Sequence, residues 1–176
     1  MSGRLIAVVG PSGVGKDTVM RALAARAELG LVRRVITRTD AVGEDCDVVS
    51  ADAFARRRAA GAFLLDWEAH GLSYGIPVEV RAALAERDML VNLSRRVLER
   101  AAALVPGFMV ISLTAAPEVL AERLAARGRE DAADQARRLA RRVELPEGLH
   151  VVEIDNGGPL ERTVETALAA LYPVRA

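Results

Sequence analysis

Apolar residues in this chain follow two rhythms. Short unbroken runs such as Leu5-Ile6-Ala7-Val8-Val9, Met89-Leu90-Val91 and Phe108-Met109-Val110-Ile111 alternate with longer Ala- and Arg-rich stretches. The runs read as strands buried on both faces, the stretches as helices with one apolar side. Strands are predicted over residues 4–9, 32–37, 63–68, 72–74, 89–93, 108–113 and 149–154. Helices are predicted from Asp17 or Thr18 to about 28, over 51–60, from Pro77 to about 87, from Ser94, over 117–127, over roughly 132–143 and over 159–171. Ser50 is placed to cap the second of these helices, and Gly61 to end it. A polar loop is expected over 38–47. Strands alternating with helices indicate an α/β fold built on a parallel sheet.

Composition narrows this picture. The 176 residues make one domain with small appended units, and the formal net charge is zero. No global field therefore draws the chain to nucleic acid or to a membrane, and neither is expected as a partner. Cys46 is the sole cysteine, which excludes an internal disulfide and suggests a reducing compartment. The first apolar run is short and leads straight into a glycine-rich loop, unlike a leader peptide. No run approaches the ~20 apolar residues of a membrane span. A cytoplasmic protein is expected.

Lys16 is the only lysine against 23 arginines, and it lies within Gly10-Pro11-Ser12-Gly13-Val14-Gly15-Lys16-Asp17-Thr18. A strand, a glycine loop ending in lysine, and a helix form the context of a phosphate-binding loop. The glycines let backbone amides turn toward an anion, and the following helix points its positive end at it. A slender ammonium can reach between phosphates where a broad guanidinium does not. The position after the lysine, usually Ser or Thr, is Asp17. Its carboxylate is either a Mg²⁺ ligand, direct or through water, or an acid stabilised by the helix terminus. Thr18 keeps a hydroxyl for the α-phosphate.

The loop, then Val35-Ile36-Thr37-Arg38, Gly43-Glu44, His70-Gly71-Leu72-Ser73-Tyr74-Gly75-Ile76-Pro77, Val91-Asn92-Leu93-Ser94-Arg95 and Arg127-Gly128-Arg129-Glu130 together resemble the ribose 1,5-bisphosphate phosphokinases. These belong to the guanylate-kinase-like group and serve phosphonate breakdown. The resemblance covers nearly the whole chain, and the Asp after the loop lysine is part of that family's pattern. It implies a P-loop NTPase fold like that of nucleoside monophosphate kinases: a parallel five-stranded core sheet with helices on both faces and two small subdomains. The core falls at about 1–32, 78–120 and 146–176, an acceptor-binding unit at about 33–77 and a lid at about 121–145. The implied reaction moves the γ-phosphoryl group of ATP, with Mg²⁺, to the 1-phosphate of ribose 1,5-bisphosphate, giving 5-phosphoribosyl 1-diphosphate.

The resemblance also implies roles. Arg38 and Tyr74 match acceptor-phosphate positions, Arg127 and Arg138 match lid arginines that clamp the transferring group, and Asn156 lies in the loop that usually meets the adenine. The tyrosine that guanylate kinases place after their Gly-Glu pair is missing. Asn92 and Ser94 stand where they present carboxylates, while Asp66 sits near another guanine-reading acid. Glu44 is placed to order the substrate loop or bind a sugar hydroxyl.

Phosphoryl transfer to an anionic acceptor needs positioning and charge neutralisation, not a general base. The chain supplies arginine for this: Arg38 and Arg95 for substrate phosphates, Arg127 and Arg138 over ATP. Between residues 121 and 142 seven arginines face four acids. Arg137, Arg141 and Arg142 read as snorkelling, and Arg33-Arg34 and Arg56-Arg57-Arg58 as solvated faces. Trp67 reads as core, His70 as a structural turn residue, and Cys46 and His150 as inert. The alternatives are a guanylate or other nucleoside monophosphate kinase, a non-catalytic module that binds proteins, and an NTPase without a small-molecule acceptor.

Overall fold

Every residue of Leu5–Val9 is buried, and this strand, β1, forms the middle of the core sheet in the computed structural model, which describes residues 3–38, 45–126 and 144–173. The other strands are β2 (Gly30–Leu31), β3 (Arg34–Ile36), β4 (Cys46–Val48), β5 (Phe63–Ala69), β6 (Leu72–Pro77), β7 (Met89–Asn92), β8 (Met109–Thr114) and β9 (Val151–Asp155). The described helices are α1 (Lys16–Ala27), α2 (Ala51–Ala59), α3 (Val80–Glu86), α4 (Leu98–Leu104), α5 (Pro117–Ala125) and α6 (Leu160–Leu171).

The core sheet has five strands in the order β2-β7-β1-β8-β9, all parallel, with Leu5 beside Met89 and Ile6 beside Met109. Alternation along β1 splits its side chains between two apolar layers. Leu5, Ala7 and Val9 pack with Val80 and Leu84 of α3 and with Leu98 and Ala101 of α4. Ile6 and Val8 pack with Val19 and Leu23 of α1, Leu120 and Leu124 of α5, and Val164 and Ala167 of α6. Helices therefore cover both faces, as a sheet built from doubly buried runs requires. Among the described residues no helix is long and apolar enough to cross a membrane.

A second sheet of four strands, β4-β3-β6-β5, is built from segments between residues 34 and 77. Its β5–β6 hairpin sends Leu64, Leu65, Trp67 and Ile76 into the same layer as α3 and α4. The hairpin turns through His70 and Gly71, at φ 53° and 73°, while Ala69 pairs with Leu72. Two positive-φ residues between paired strands match the right-handed twist of a tight hairpin.

Three expectations change. The strand expected over 32–37 is shortened to β3, which joins the second sheet, while the unexpected β2 just before it lies on the core sheet, where Val32 N–H continues the pairing to the Leu90 carbonyl. Within the loop expected over 38–47, Cys46 and Asp47 belong to β4, which pairs parallel with β3 through a three-residue register too short to show a period. Pro77 closes β6 opposite Phe63 instead of opening a helix, and Val78 N–H extends that pairing to the Ala62 carbonyl. A strand end tolerates the missing proline N–H as readily as a helix start does. Ser50 caps α2 as expected, accepting from Ala53 N–H at 3.1 Å. Arg127 and the helix expected over 132–143 lie outside the described residues.

Candidate active site

In an open parallel sheet, ligands gather at the carboxyl ends of the strands. Here that edge carries the glycine loop after β1, Asn92 at the end of β7 and Asn156 after β9. The loop is anchored by Val14, fully buried against Leu120 and Leu124. Gly13 and Gly15 take φ of 83° and 96°, and an added Cβ on Gly15 would lie 3.0 Å from Asn156 Nδ2. Left-handed backbone and a close neighbour both demand glycine there. The first helical bond of α1 runs from Val19 N–H to the Gly15 carbonyl at 3.0 Å. The amides of the first turn thus face out of the helix end, where an anion is favoured. Lys16 Nζ curls over the loop and donates to the carbonyls of Gly10 at 2.9 Å and Pro11 at 3.3 Å.

The loop is braced from behind. Asn156 is 5 % exposed; its Nδ2 donates to the Val14 carbonyl at 2.7 Å and its Oδ1 accepts from Thr163 Oγ1 at 2.7 Å. Arg123, on α5, donates to the same Val14 carbonyl at 3.1 Å and to the Asn156 carbonyl at 2.8 Å. The family resemblance implies a place for Asn156 near the adenine and none for Arg123. The structure commits both polar ends of the Asn156 side chain to the scaffold.

Two clefts flank the first turn of α1. One, of 370 Å³, is lined by Gly13, Gly15, Thr18, Arg123, Asn156 and Gly158. The other, of 200 Å³, is lined by Asp17, Arg21, Arg33, Arg34, Asp45 and Asn92. Asp17 and Thr18 are successive residues about 100° apart around the helix, so each faces a different cleft. The phosphate loop lines the first of them through Gly13 and Gly15.

Around the second cleft, Thr37 closes the β3–β6 ladder: its N–H donates to the Ser73 carbonyl at 3.0 Å and its Oγ1 accepts from Ser73 N–H at 2.8 Å. Arg38 follows directly and is partly buried. The Tyr74 ring stacks on Trp67 with centroids 5.2 Å apart, and Trp67 is core at 6 % exposure. Arg34 overturns its reading as a solvated arginine: it is 8 % exposed, donates to the Asn92 carbonyl at 3.1 Å and lies over the Tyr74 ring. Arg33 does face solvent, paired with Asp45 and Asp47. Ser94 Oγ accepts from Arg96 N–H at 3.4 Å and so caps a short turn that starts at Arg95. Arg95 is half-buried, and burial pushes its guanidinium pKa down. A nearby anion would recover what that desolvation costs.

Asp66 is not brought to this cleft. It stands opposite Gly75 while Trp67 stands opposite Tyr74, so the two pairs project from opposite faces of the hairpin. Its carboxylate pairs with Arg58 of α2 at 2.8 Å, which also takes Arg58 out of the set of purely solvated arginines. Glu44, Arg127 and Arg138 lie outside the described residues.

The donor chemistry suits a divalent cation carried in on phosphates. Asp17 offers a partly exposed hard carboxylate beside the loop, and no cluster of three or more His, Cys, Asp or Glu able to hold an ion exists among the described residues. Mg²⁺ in such sites takes one or two carboxylates and completes its shell with phosphate and water.

Comparison with known proteins agrees with this arrangement. Residues 6–144 match the family model described as an AAA domain. The ribose 1,5-bisphosphate phosphokinase PhnN of Ruegeria sp. (strain TM1040) is 52 % identical over 179 residues, covering 99 % of this chain and 94 % of that protein. The protein of the same name from Pseudomonas paraeruginosa (strain DSM 24068 / PA7) is 45 % identical, covering 100 % and 99 %. Among solved structures, guanylate kinase from Anaplasma phagocytophilum superposes with a TM-score of 0.63 at 19 % identity, over 97 % of this chain and 85 % of that one. That likeness shows a shared fold.

Proposed function

The chain belongs to the ribose 1,5-bisphosphate phosphokinase family, and on that premise we propose that it transfers the γ-phosphoryl group of ATP to the 1-phosphate of ribose 1,5-bisphosphate, releasing ADP and 5-phosphoribosyl 1-diphosphate. The observation that carries the reading is the pair of clefts on either side of the α1 N-terminus, one reaching Gly13 and Gly15 of the phosphate loop and the other Asp17. Such a layout holds a donor and an acceptor on opposite sides of one anion-binding turn, the geometry in-line transfer needs.

The residues divide the work. Gly10 to Thr18 cradle the triphosphate with backbone amides, and Lys16 swings from the Gly10 carbonyl to the β- and γ-oxygens. Asp17 would hold Mg²⁺, which when bound neutralises charge across the phosphate oxygens. Arg38, Arg95 and Tyr74 hold the acceptor, while Asn92 and Ser94 line the end of β7 beside it. Glu44 completes the acceptor side by ordering its loop or binding a sugar hydroxyl. Arg127 and Arg138 close over the transferring group. An oxygen of the 1-phosphate forms the new bond to the γ-phosphorus as the bond to the bridging β–γ oxygen breaks, and ADP leaves with that electron pair. The attacking oxygen is already anionic near neutral pH, so no side chain has to remove a proton.

A nucleotide acceptor would draw on Asp66, and the Arg58 ion pair already engages that carboxylate. The test is ADP release from ATP-Mg²⁺ offered with ribose 1,5-bisphosphate, with GMP or with no acceptor. Ribose 1,5-bisphosphate is expected to dominate, and Lys16→Met to lower kcat about 100- to 1,000-fold with the fold intact by circular dichroism. Faster turnover of GMP, or ADP release independent of any acceptor, would overturn the assignment.

A further inference from the structure

Arg34 belongs by sequence to the second sheet and by contact to both sheets. On β3 it is 8 % exposed. Its Nη1 donates at 3.1 Å to the carbonyl of Asn92, the last residue of β7 in the core sheet. Its Cζ lies 5.3 Å from the centroid of the Tyr74 ring, and that ring stacks on Trp67. Asn92, Arg34, Tyr74 and Trp67 thus form a continuous line from one sheet to the other. Its first two members, Asn92 and Arg34, line the cleft that also holds Asp17. A planar guanidinium can donate from its edge while offering its face to a ring; a lysine ammonium cannot do both from one position.

We propose that Arg34 is a positioning residue for the acceptor: it latches the second sheet to the end of β7 and so fixes Tyr74, and whatever Tyr74 touches, relative to the phosphate loop. The inference rests on the functional reading above, which puts the acceptor in this cleft. In-line transfer is steeply sensitive to placement, with about 100-fold lost for a displacement near 1 Å. The nucleotide cleft lies on the other side of α1 and shares none of the latch residues. Loosening the latch should therefore harm the acceptor end alone.

The experiment is steady-state kinetics with ATP and ribose 1,5-bisphosphate varied separately. Arg34→Met keeps the apolar stem and removes the donor. It is expected to raise the acceptor KM about tenfold and lower kcat about 10- to 100-fold, with the KM for ATP within about twofold of wild type. Arg34→Lys should recover little of the loss. Arg34→Met combined with Tyr74→Leu should be no worse than the more damaged single variant, because both break one linkage. Arg100→Gln is the control: it removes an exposed hydrogen bond from α4 to the Asp66 carbonyl and should leave every parameter within about twofold. The proposal is overturned if Arg34→Met leaves the acceptor KM and kcat unchanged, if the KM for ATP rises as much as the acceptor KM, or if the two substitutions multiply. Should Arg34→Met fail to fold, Arg34→Lys carries the same comparison, and an unchanged acceptor KM there overturns the latch. A wild-type protein that releases no ADP with ribose 1,5-bisphosphate overturns the functional reading itself; an active wild type with an indifferent Arg34 overturns only the latch.

Discussion

Asn156 illustrates how a single side chain can brace a site from behind. Buried at the carboxyl edge of the sheet, it gives its amide N–H to Val14 and takes a hydrogen bond from Thr163. Asn156→Ala removes both contacts and leaves groups that must find new partners, a cost of about 1–2 kcal/mol. Melting should show that loss directly. The slackened loop should also raise the KM for ATP several-fold while the KM for the acceptor stays put; an equal rise in both would mean that Asn156 braces the whole site instead of the loop. At this scale the sequence was uneven. Lys16 and its glycines were legible because their spacing is local and their chemistry needs it. Arg34 and Arg123 were not, because an arginine beside an arginine, or one on a helix surface, shows its burial only when distant segments meet.

At the scale of elements, the His70-Gly71 turn shows what local sequence can and cannot convey. Gly71 announces a turn, but His70 gives no sign that it must adopt φ 53°. A non-glycine residue pays roughly 1–2 kcal/mol for such a conformation, and asparagine less than histidine. His70→Asn should therefore stabilise the protein by about 0.5 kcal/mol, a rise in Tm of about 1–2 °C. A fall in Tm would show that the imidazole makes a contact the turn depends on. The same contrast holds across the fold. β1, β7 and β8 were legible because strands buried on both faces must be uninterrupted apolar runs. β2 and β4 have two and three residues and only one hydrogen-bonded neighbour each, so no period could form. Pro77 misled because proline's lost donor is tolerated equally at a strand end and a helix start.

Across the whole molecule, the chain closes on itself at the end of the core sheet opposite the phosphate loop. Arg4, just before β1, donates to Asp88, just before β7, from Nε at 3.0 Å and Nη2 at 2.6 Å, and its backbone N–H adds a third bond at 2.6 Å. Arg4 Nη1 reaches the Leu171 carbonyl at 3.0 Å, and Tyr172, just past α6, gives its hydroxyl to Asp88 Oδ2 at 2.7 Å. Burial pushes the Asp88 carboxyl up, but hydrogen bonds from Arg4 and Tyr172 outweigh it and the net pKa is lowered. Burial and the bond to Asp88 push the Tyr172 hydroxyl up from 10.0 to about 12. Asp88 therefore stabilises the fold fully above its unfolded pKa and loses that contribution as pH falls through its depressed value. Tyr172 stabilises it fully below about pH 10 and loses that contribution as pH rises toward 12. Tyr172→Phe keeps the ring under Arg4 and removes only the hydroxyl. With the hydroxyl partly open to solvent, the variant should be less stable by about 1 kcal/mol through neutral pH. That gap should close between pH 10 and 12, where the unfolded wild type ionises a hydroxyl that the folded protein keeps protonated and so unfolds more favourably, while the variant has nothing there to titrate. Because this clamp sits at the far end of every core strand from Lys16, kcat near 25 °C should be the same in both proteins. A stability gap that persists undiminished at the alkaline limit would deny the hydroxyl its role, and a changed kcat would mean that the two ends of the sheet are mechanically coupled.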